Sequence, residues 1–154
     1  MQHYLIRHAH AVDMTPDAVR PLSGKGRAQV GRLGEFLRAN EVFVPDEIWH
    51  SPLLRAKETA VAIAQAVNFK GAVREMAGLE PDADPGVIAR LLGGSHRSIA
   101  VVGHEPHLGA LASMLIGGQR NRPVVHMKKC AALAIEGGGA HWQVSWHLAP
   151  ELFV

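Results

Sequence analysis

Cysteine and long apolar runs are scarce in this sequence, and each scarcity excludes a class of protein. The 154 residues contain one cysteine, Cys130, which permits neither an internal disulfide nor a zinc site built from several cysteines. No apolar run is long enough to cross a membrane, and Arg7 interrupts the apolar N-terminus before it forms a signal peptide. We therefore expect a cytoplasmic protein, in a reducing compartment, with no membrane partner.

An excess of charge of one sign is also missing. The chain has 16 Lys and Arg residues against 14 Asp and Glu residues, and its formal net charge is +2. The basic residues are scattered along the chain, so no nucleic acid partner is expected. Apolar residues make up 47% and charged residues 19%, which is typical of folded proteins. The length predicts a single domain over residues 1–154.

Short apolar runs alternate with stretches of helical periodicity. Strands are predicted at residues 2–6, 46–50, 71–76, 98–103, 130–135 and 142–147. Helices are predicted at 23–39, from Ser51-Pro52 onward, at 85–92 and at 106–116, with Ser23 and Ser51 as capping residues. This order predicts an α/β fold of three layers, α/β/α, with a mostly parallel central sheet and an antiparallel C-terminal hairpin at its edge.

Two arginines and two histidines occur where this fold would bring them together. Arg7 and His8 end the first strand, His104 follows a later strand, and Arg55 lies in the first turn of the second helix. Ligands bind at the carboxyl ends of the strands in such sheets. Guanidinium groups match phosphate oxygens, and a neutral imidazole beside them can act as a nucleophile. The attacking nitrogen must be unprotonated, so we expect the other ring nitrogen to donate to a nearby carbonyl.

Two other interpretations of the basic residues stay open from the residues alone. Arg55 could be a solvated surface residue, or could pair with Glu58 at i+3. Gly24-Lys25-Gly26 stands at a helix start, where backbone N–H groups can bind phosphate, although the full spacing of a P-loop is absent.

Three segments occur in the order and at the separations of a known family. They are Arg7-His8-Ala9, Ser51-Pro52-Leu53-Leu54-Arg55-Ala56 with Thr59-Ala60, and Val102-Gly103-His104-Glu105-Pro106. Together they resemble the histidine phosphatase superfamily, in particular its short SixA-like protein phosphohistidine phosphatases. The resemblance extends over residues 1 to 135. It implies a phosphatase that needs no metal and no cofactor.

The resemblance also implies roles for individual residues. His8 would be the phosphorylated nucleophile, Arg7 and Arg55 would hold the phosphate, and His104 would be the second histidine of the phosphate pocket. Arg20 matches a position that often faces this pocket in the short members.

In two places the chain departs from the family pattern. Ala9 stands where the family usually has glycine after the nucleophile. The proton donor of the long members is a glutamate after the third strand, and the acids available in that part of this chain are Glu75, Glu80, Asp82 and Asp84. We predict Glu80, because a loop acid beside the crevice can reach the leaving atom.

The predicted substrate is phosphohistidine in a protein, and the predicted partner is a phosphohistidine-containing protein such as a phosphotransfer domain. The stretch between Val73 and Ser98 is long enough for a loop and one short helix but not for a lid domain, so we expect an open groove. A broad phosphomonoesterase for small molecules, from the same superfamily, is the alternative. Neither the oligomeric state nor the identity of the partner is predicted.

The ten histidines also permit two rival functions. A metal-dependent hydrolase would use His8, His10, His104 and His107 as ligands, although no carboxylate stands at a diagnostic spacing from them. A catalytically silent phosphate-binding module would use the same four pocket residues as the phosphatase. The remaining histidines are expected at the surface or at strand ends: His3, His50, His96, His126, His141 and His147.

Overall fold

The apolar runs form the strands of one sheet. The computed structural model describes residues 1–152, and in that range the sheet has six strands. They are β1 (Gln2–Arg7), β2 (Glu47–His50), β3 (Ala72–Glu75), β4 (Ile99–Gly103), β5 (Ala132–Gly138) and β6 (His141–Leu148). Their spatial order is β3-β2-β4-β1-β5-β6. The first strand of the chain therefore lies inside the sheet, as its apolar sequence predicts.

Strand direction divides the sheet into two parts. The pairs β1–β4, β2–β4 and β2–β3 are parallel, whereas β5 pairs antiparallel with both β1 and β6. The predicted mostly parallel sheet with an antiparallel C-terminal hairpin at one edge is thus confirmed.

Helices cover both faces of the sheet. Within residues 1–152 the α-helices are α1 (Gly24–Asn40), α2 (Leu54–Ala66), α3 (Pro85–Gly93) and α4 (His107–Gly117). One core cluster joins α1 and α2 to the sheet face that carries Tyr4 and Ile6. A second cluster joins α3 and α4 to the opposite face, which carries Leu5 and Val101. The alternation of β1 side chains between the two clusters produces the predicted three-layer architecture.

The two serine caps behave differently. Ser23 caps α1, because its hydroxyl accepts a hydrogen bond of 3.0 Å from the Gly26 N–H. The prediction that Ser51 and Pro52 begin the second helix is wrong: α2 begins at Leu54, and Leu53 is its N-cap. The Ser51 hydroxyl lies instead at the carboxyl end of β2.

Two of the six histidines expected at the surface or at strand ends are buried, although His50 does end β2. His3 is fully buried, with Nε2 3.0 Å from the Leu92 oxygen and Nδ1 accepting from the Ile99 N–H at 3.0 Å. His50 is also buried, and its Nδ1 lies 2.9 Å from the Ser51 oxygen. Both rings lie on inner strands whose faces are covered by helices, where backbone groups satisfy their nitrogens. The other four histidines predicted at the surface are exposed: His96, His126, His141 and His147.

The stretch after β3 contains a loop and one short helix, as predicted. Helix α3 packs against α4, and its Ile88 and Leu92 are fully buried in the core. This helix therefore completes the layer behind the sheet and does not form a lid. None of the helices within residues 1–152 is long and apolar enough to span a bilayer.

Candidate active site

The register of the parallel strands brings three strand ends to the same level. Arg7 pairs with Gly103 across β1 and β4, and the His8 N–H donates to the Gly103 oxygen at 2.9 Å. On the other side of β4, the Ser51 N–H donates to the Val102 oxygen at 3.1 Å. The residues that follow β1, β2 and β4 therefore meet at one edge of the sheet.

Two imidazole rings face each other at this edge. The ring centroids of His8 and His104 are 5.0 Å apart, and both residues are buried. Arg55 and Arg7 lie close enough for their charges to act on His8. The structure thus brings together four residues that the sequence predicted as one group.

The His8 ring has a fixed orientation. Its Nδ1 lies 2.7 Å from the Ala9 oxygen, the carbonyl partner expected from the sequence. Burial lowers the pKa of His8 to about 4; the bond to Ala9 opposes this decrease, whereas the charges of Arg55, Arg7 and Lys129 add to it. The ring is neutral near pH 7, and because Nδ1 donates to a carbonyl, Nε2 carries the lone pair.

Hydrogen bonds of the backbone hold the loop after β1 in place. The Ala9 N–H donates to Thr59 Oγ1 at 3.1 Å, and that hydroxyl donates to the Arg55 oxygen at 2.7 Å. The Cys130 N–H donates to the His8 oxygen at 3.1 Å. The methyl group of Ala9 is fully buried in the core, so alanine fits where the family usually has glycine.

Ser51 holds the second histidine. Its Oγ lies 2.6 Å from Nε2 of His104, and it also accepts from the Leu53 N–H at 3.1 Å. Burial lowers the pKa of His104 to about 3, and the charges of His8 and Arg55 contribute to that decrease. Within residues 1–152, Nδ1 of His104 has no hydrogen-bond partner. A neutral ring whose Nε2 accepts from the Ser51 hydroxyl presents an N–H at Nδ1.

The two arginines have different partners. Arg7 donates from Nη1 to the Met127 oxygen at 3.0 Å. Arg55 donates from Nη1 to the Asp17 oxygen at 3.0 Å and from Nη2 to Asp17 Oδ2 at 3.2 Å. Arg55 is buried, so the interpretation as a solvated residue or a partner of Glu58 is wrong.

Asp17 links Arg55 to Arg20. Arg20 donates from Nη1 to Asp17 Oδ1 at 3.1 Å and from Nε to the Val12 oxygen at 2.8 Å. The hydrogen bond from Arg20 lowers the pKa of the Asp17 carboxyl; its slight burial opposes this, and Arg55 adds to the decrease. The structure therefore places Arg20 next to the site through a carboxylate that the sequence analysis did not single out.

Glu80 lies beside another histidine. Its Oε1 accepts from the Gly78 N–H at 2.8 Å, and its charge acts on the buried His107. Asp84 accepts from the Gly86 N–H and caps α3, and its pKa is lowered by that hydrogen bond. Neither carboxylate is among the charges that act on His8. The remaining candidates, Glu75 and Asp82, are exposed at the end of β3 and in the following loop.

Packing explains the glycines near the start of α1. A Cβ on Gly26 would lie 2.0 Å from the His10 oxygen, so only glycine permits the helix to approach the loop after β1. The Gly26 N–H already donates to Ser23, which argues against a phosphate loop there. His10 Nδ1 lies 2.6 Å from the Ser23 hydroxyl. In the part of the chain that the structure describes, no group of three His, Cys, Asp or Glu residues is arranged to hold a metal ion.

Three residues of the candidate site were not predicted from the sequence. Asp17 was only part of a polar loop, Ser51 was given a capping role, and Lys129 was one of many scattered basic residues. The charge of Lys129 acts on both His8 and His10. The position of Ser51 just after a strand was the one available indication, because residues at that position face the site.

Comparisons with known proteins agree with this geometry. The family model of the histidine phosphatase superfamily (branch 1) matches residues 3–80. The phosphohistidine phosphatase SixA of Escherichia coli (strain K12) is 25% identical over 155 residues, which cover 97% of this chain and 94% of that protein.

Solved structures share the fold. The protein histidine phosphatase SixA complexed with tungstate superposes with a TM-score of 0.87 at 24% identity, covering 97% of both chains. A mycobacterial glucosyl-3-phosphoglycerate phosphatase complexed with VO3 superposes with a TM-score of 0.69 at 19% identity, covering 94% of this chain and 97% of that one. On the family match, this chain belongs to the histidine phosphatase superfamily.

Proposed function

We propose that this protein removes phosphate from phosphohistidine in other proteins, and that His8 carries the phosphate as a covalent intermediate. The observation that supports this most is the His8 ring, which is buried, neutral near pH 7 and held by a carbonyl at Nδ1. Its Nε2 is therefore the nucleophilic nitrogen. Two guanidinium groups and a second imidazole surround it, as a phosphoryl group requires.

The reaction has two steps. In the first, Nε2 of His8 attacks phosphorus, the bond between phosphorus and the substrate ring nitrogen breaks, and its electron pair stays on that nitrogen. Arg7 and Arg55 hold the phosphoryl oxygens, and the Nδ1–H of His104 donates to one of them. The imidazole of His8 gains positive charge, which the Ala9 oxygen stabilises through Nδ1–H. In the second step, water attacks phosphorus and the bond between Nε2 of His8 and phosphorus breaks. Its electron pair returns to Nε2, and the protons of the water stay on the inorganic phosphate that leaves.

The arrangement of carboxylates fits a nitrogen leaving group. Asp17, which contacts Arg55, is held as a carboxylate by Arg20 and Arg55, so it is a poor acid near pH 7. Glu80 accepts a hydrogen bond at Gly78 beside His107. A protonated phosphohistidine ring leaves as neutral imidazole and needs no proton in that step. A phosphoester would need one. The predicted role of Glu80 as proton donor would therefore matter for a phosphoester and not for a protonated phosphohistidine.

The open surface fits a substrate carried on a protein. Helix α3 is packed into the layer behind the sheet, so residues 85–93 form no lid over the site. Little remote binding energy is then available for a small sugar phosphate. The relative named phosphohistidine phosphatase SixA, which aligns over almost the whole chain, supports the same substrate class. We propose that residues 1–154 form one such domain, whose partner is a phosphohistidine-containing protein such as a phosphotransfer domain.

The second candidate is a phosphatase for small phosphoesters. It is favoured by the shared fold of the relative named glucosyl-3-phosphoglycerate phosphatase. A comparison of kcat/KM on a phosphohistidine protein and on a panel of sugar phosphates and aryl phosphates separates the two. We expect the highest value on the phosphohistidine protein. A small phosphoester cleaved at about 10⁶ M⁻¹s⁻¹ or faster would contradict the proposed substrate.

A metal requirement is tested in the same assay. The proposed mechanism obtains its positive charge from Arg7 and Arg55, so activity should persist in excess EDTA. Loss of activity in EDTA with recovery on addition of zinc would favour the metal-dependent hydrolase that uses His8, His10, His104 and His107. The cytoplasmic location, expected from the single cysteine, stays a prediction.

A further inference from the structure

The segment that contains Lys129 is hydrogen-bonded to Arg7, at the end of β1, and to His8. The Cys130 N–H donates to the His8 oxygen at 3.1 Å, and the Met127 oxygen accepts from Arg7 Nη1 at 3.0 Å. Met127 and Cys130, which flank Lys129, thus each use a backbone atom to bond a residue of the phosphate pocket. The position of the Lys129 backbone relative to His8 is fixed by these bonds.

A tight turn exposes Lys129 at its corner. The Ala131 N–H donates to the Lys128 oxygen at 2.9 Å, so Lys129 and Cys130 are the two central residues of the turn. Cys130 has a φ of 60°, in the left-handed region that such turns usually reserve for glycine. Its side chain is fully buried, whereas Lys129 is exposed. A strained, buried residue therefore fixes the turn that presents the lysine beside His8.

The surroundings of Lys129 are positively charged. Its charge acts on His8 and His10, and four other cations act on Lys129: Arg7, Arg20, Lys25 and Arg55. No carboxylate within residues 1–152 forms an ion pair with it. Its neighbour Lys128 differs, because its ammonium contacts the Glu151 carboxylate. An ammonium placed among cations without an acidic partner is stabilised when an anion binds between them.

We propose that Lys129 is an additional phosphate-binding residue, whose ammonium contacts an oxygen of the phosphoryl group held by Arg7, Arg55 and His104. The proposal rests on the proposed function, since it adds a ligand to the same pocket. A third cation fits a group whose oxygens carry two negative charges in the ground state and share charge through the transfer.

The test compares neighbouring lysines. Tungstate, an oxyanion of phosphate shape, is titrated calorimetrically into the wild type, Lys129→Met, Lys129→Arg and Lys128→Met at 0.1 M and 0.5 M NaCl. We expect Lys129→Met to weaken binding about tenfold or more, as for loss of a hydrogen bond to a charged group. Lys129→Arg should keep most of the affinity, and Lys128→Met should stay within about twofold of the wild type. The loss of tungstate affinity in Lys129→Met should persist at 0.5 M NaCl. At that concentration salt screens charges that are more than a few ångströms apart, so a direct contact survives better than a distant attraction.

Several outcomes would overturn the proposal. Wild-type affinity in Lys129→Met, or a deficit that disappears at 0.5 M NaCl, would show that the lysine does not contact the oxyanion. An unchanged tungstate affinity with a raised KM for a phosphohistidine protein would assign Lys129 to the partner surface instead. These results leave the proposed function intact if the wild type hydrolyses phosphohistidine. A wild type that binds no tungstate and hydrolyses no phosphohistidine would refute both proposals.

Discussion

Lowering the pH should destabilise the folded protein through His8, and the size of the effect follows from its burial. The pKa of His8 is lowered from 6.5 to about 4, so the unfolded chain takes up a proton below pH 6.5 that the folded protein resists until about pH 4. The contribution of neutral His8 to the free energy of unfolding is therefore complete above pH 6.5 and is lost as the pH falls towards 4. At 1.36 kcal/mol per pH unit, the loss at pH 5 is about 2 kcal/mol.

That loss is large beside a total stability of about 5–15 kcal/mol for a domain. Urea unfolding at pH 8 and pH 5 measures it, with His8→Gln as the reference because glutamine does not titrate. Both proteins carry His104→Gln as well, because the charge of His8 lowers the pKa of His104, and other histidines with lowered pKa values, such as His3, remain in both. Between pH 8 and pH 5 the protein that keeps His8 should lose about 2 kcal/mol more than the one with His8→Gln. Equal losses, or an NMR titration of His8 centred near 6.5, would refute the reasoning.

Three further substitutions test the site. Arg55→Ala should lower kcat/KM on a phosphohistidine protein about 10²- to 10³-fold, because it removes a guanidinium that stabilises the transferring phosphoryl group. The control Lys57→Ala, on the exposed face of α2, should stay near the wild-type value. An Arg55→Ala enzyme within threefold of wild type would exclude that role. Ser51→Ala leaves His104 Nε2 buried without its partner, so we expect about 1–3 kcal/mol of lost stability and a lowered kcat, measured by urea unfolding and steady-state kinetics. Glu80→Gln should change phosphohistidine turnover less than about threefold, because a nitrogen leaving group needs no acid; a loss of about 10²-fold or more would identify Glu80 as the proton donor.

The sequence predicted the residues at the strand ends, because the apolar runs that form the strands are short-range patterns. Arg7, His8 and His104 each stand next to a clear apolar run, and parallel pairing then brings those strand ends to one edge. The architecture was predictable for the same reason. The start of α2 was harder to predict. The Ser51 hydroxyl resembles a helix cap in the sequence, but it contacts His104, which lies 53 residues away.

Contacts between distant loops were beyond the sequence patterns. Asp17 lies in a polar loop without periodicity, and nothing near it in sequence indicates that it contacts Arg55. Lys129 stands in a turn next to His8 because Cys130 takes a left-handed conformation, which is rare for that residue type. His3 was expected at the surface or at a strand end because no motif surrounds it, but in the folded protein its two nitrogens bond backbone atoms of Leu92 and Ile99.

The covalent intermediate on His8 is the central claim, and rapid quench tests it most directly. The enzyme is mixed with a phosphohistidine protein labelled in its phosphoryl group, quenched in base within milliseconds, and digested for mass spectrometry. We expect labelled phosphate on the peptide that contains His8, stable in base and lost in acid, in the wild type but not in His8→Ala. Turnover in the wild type without labelled enzyme, or label that persists in His8→Ala, would contradict the proposed mechanism.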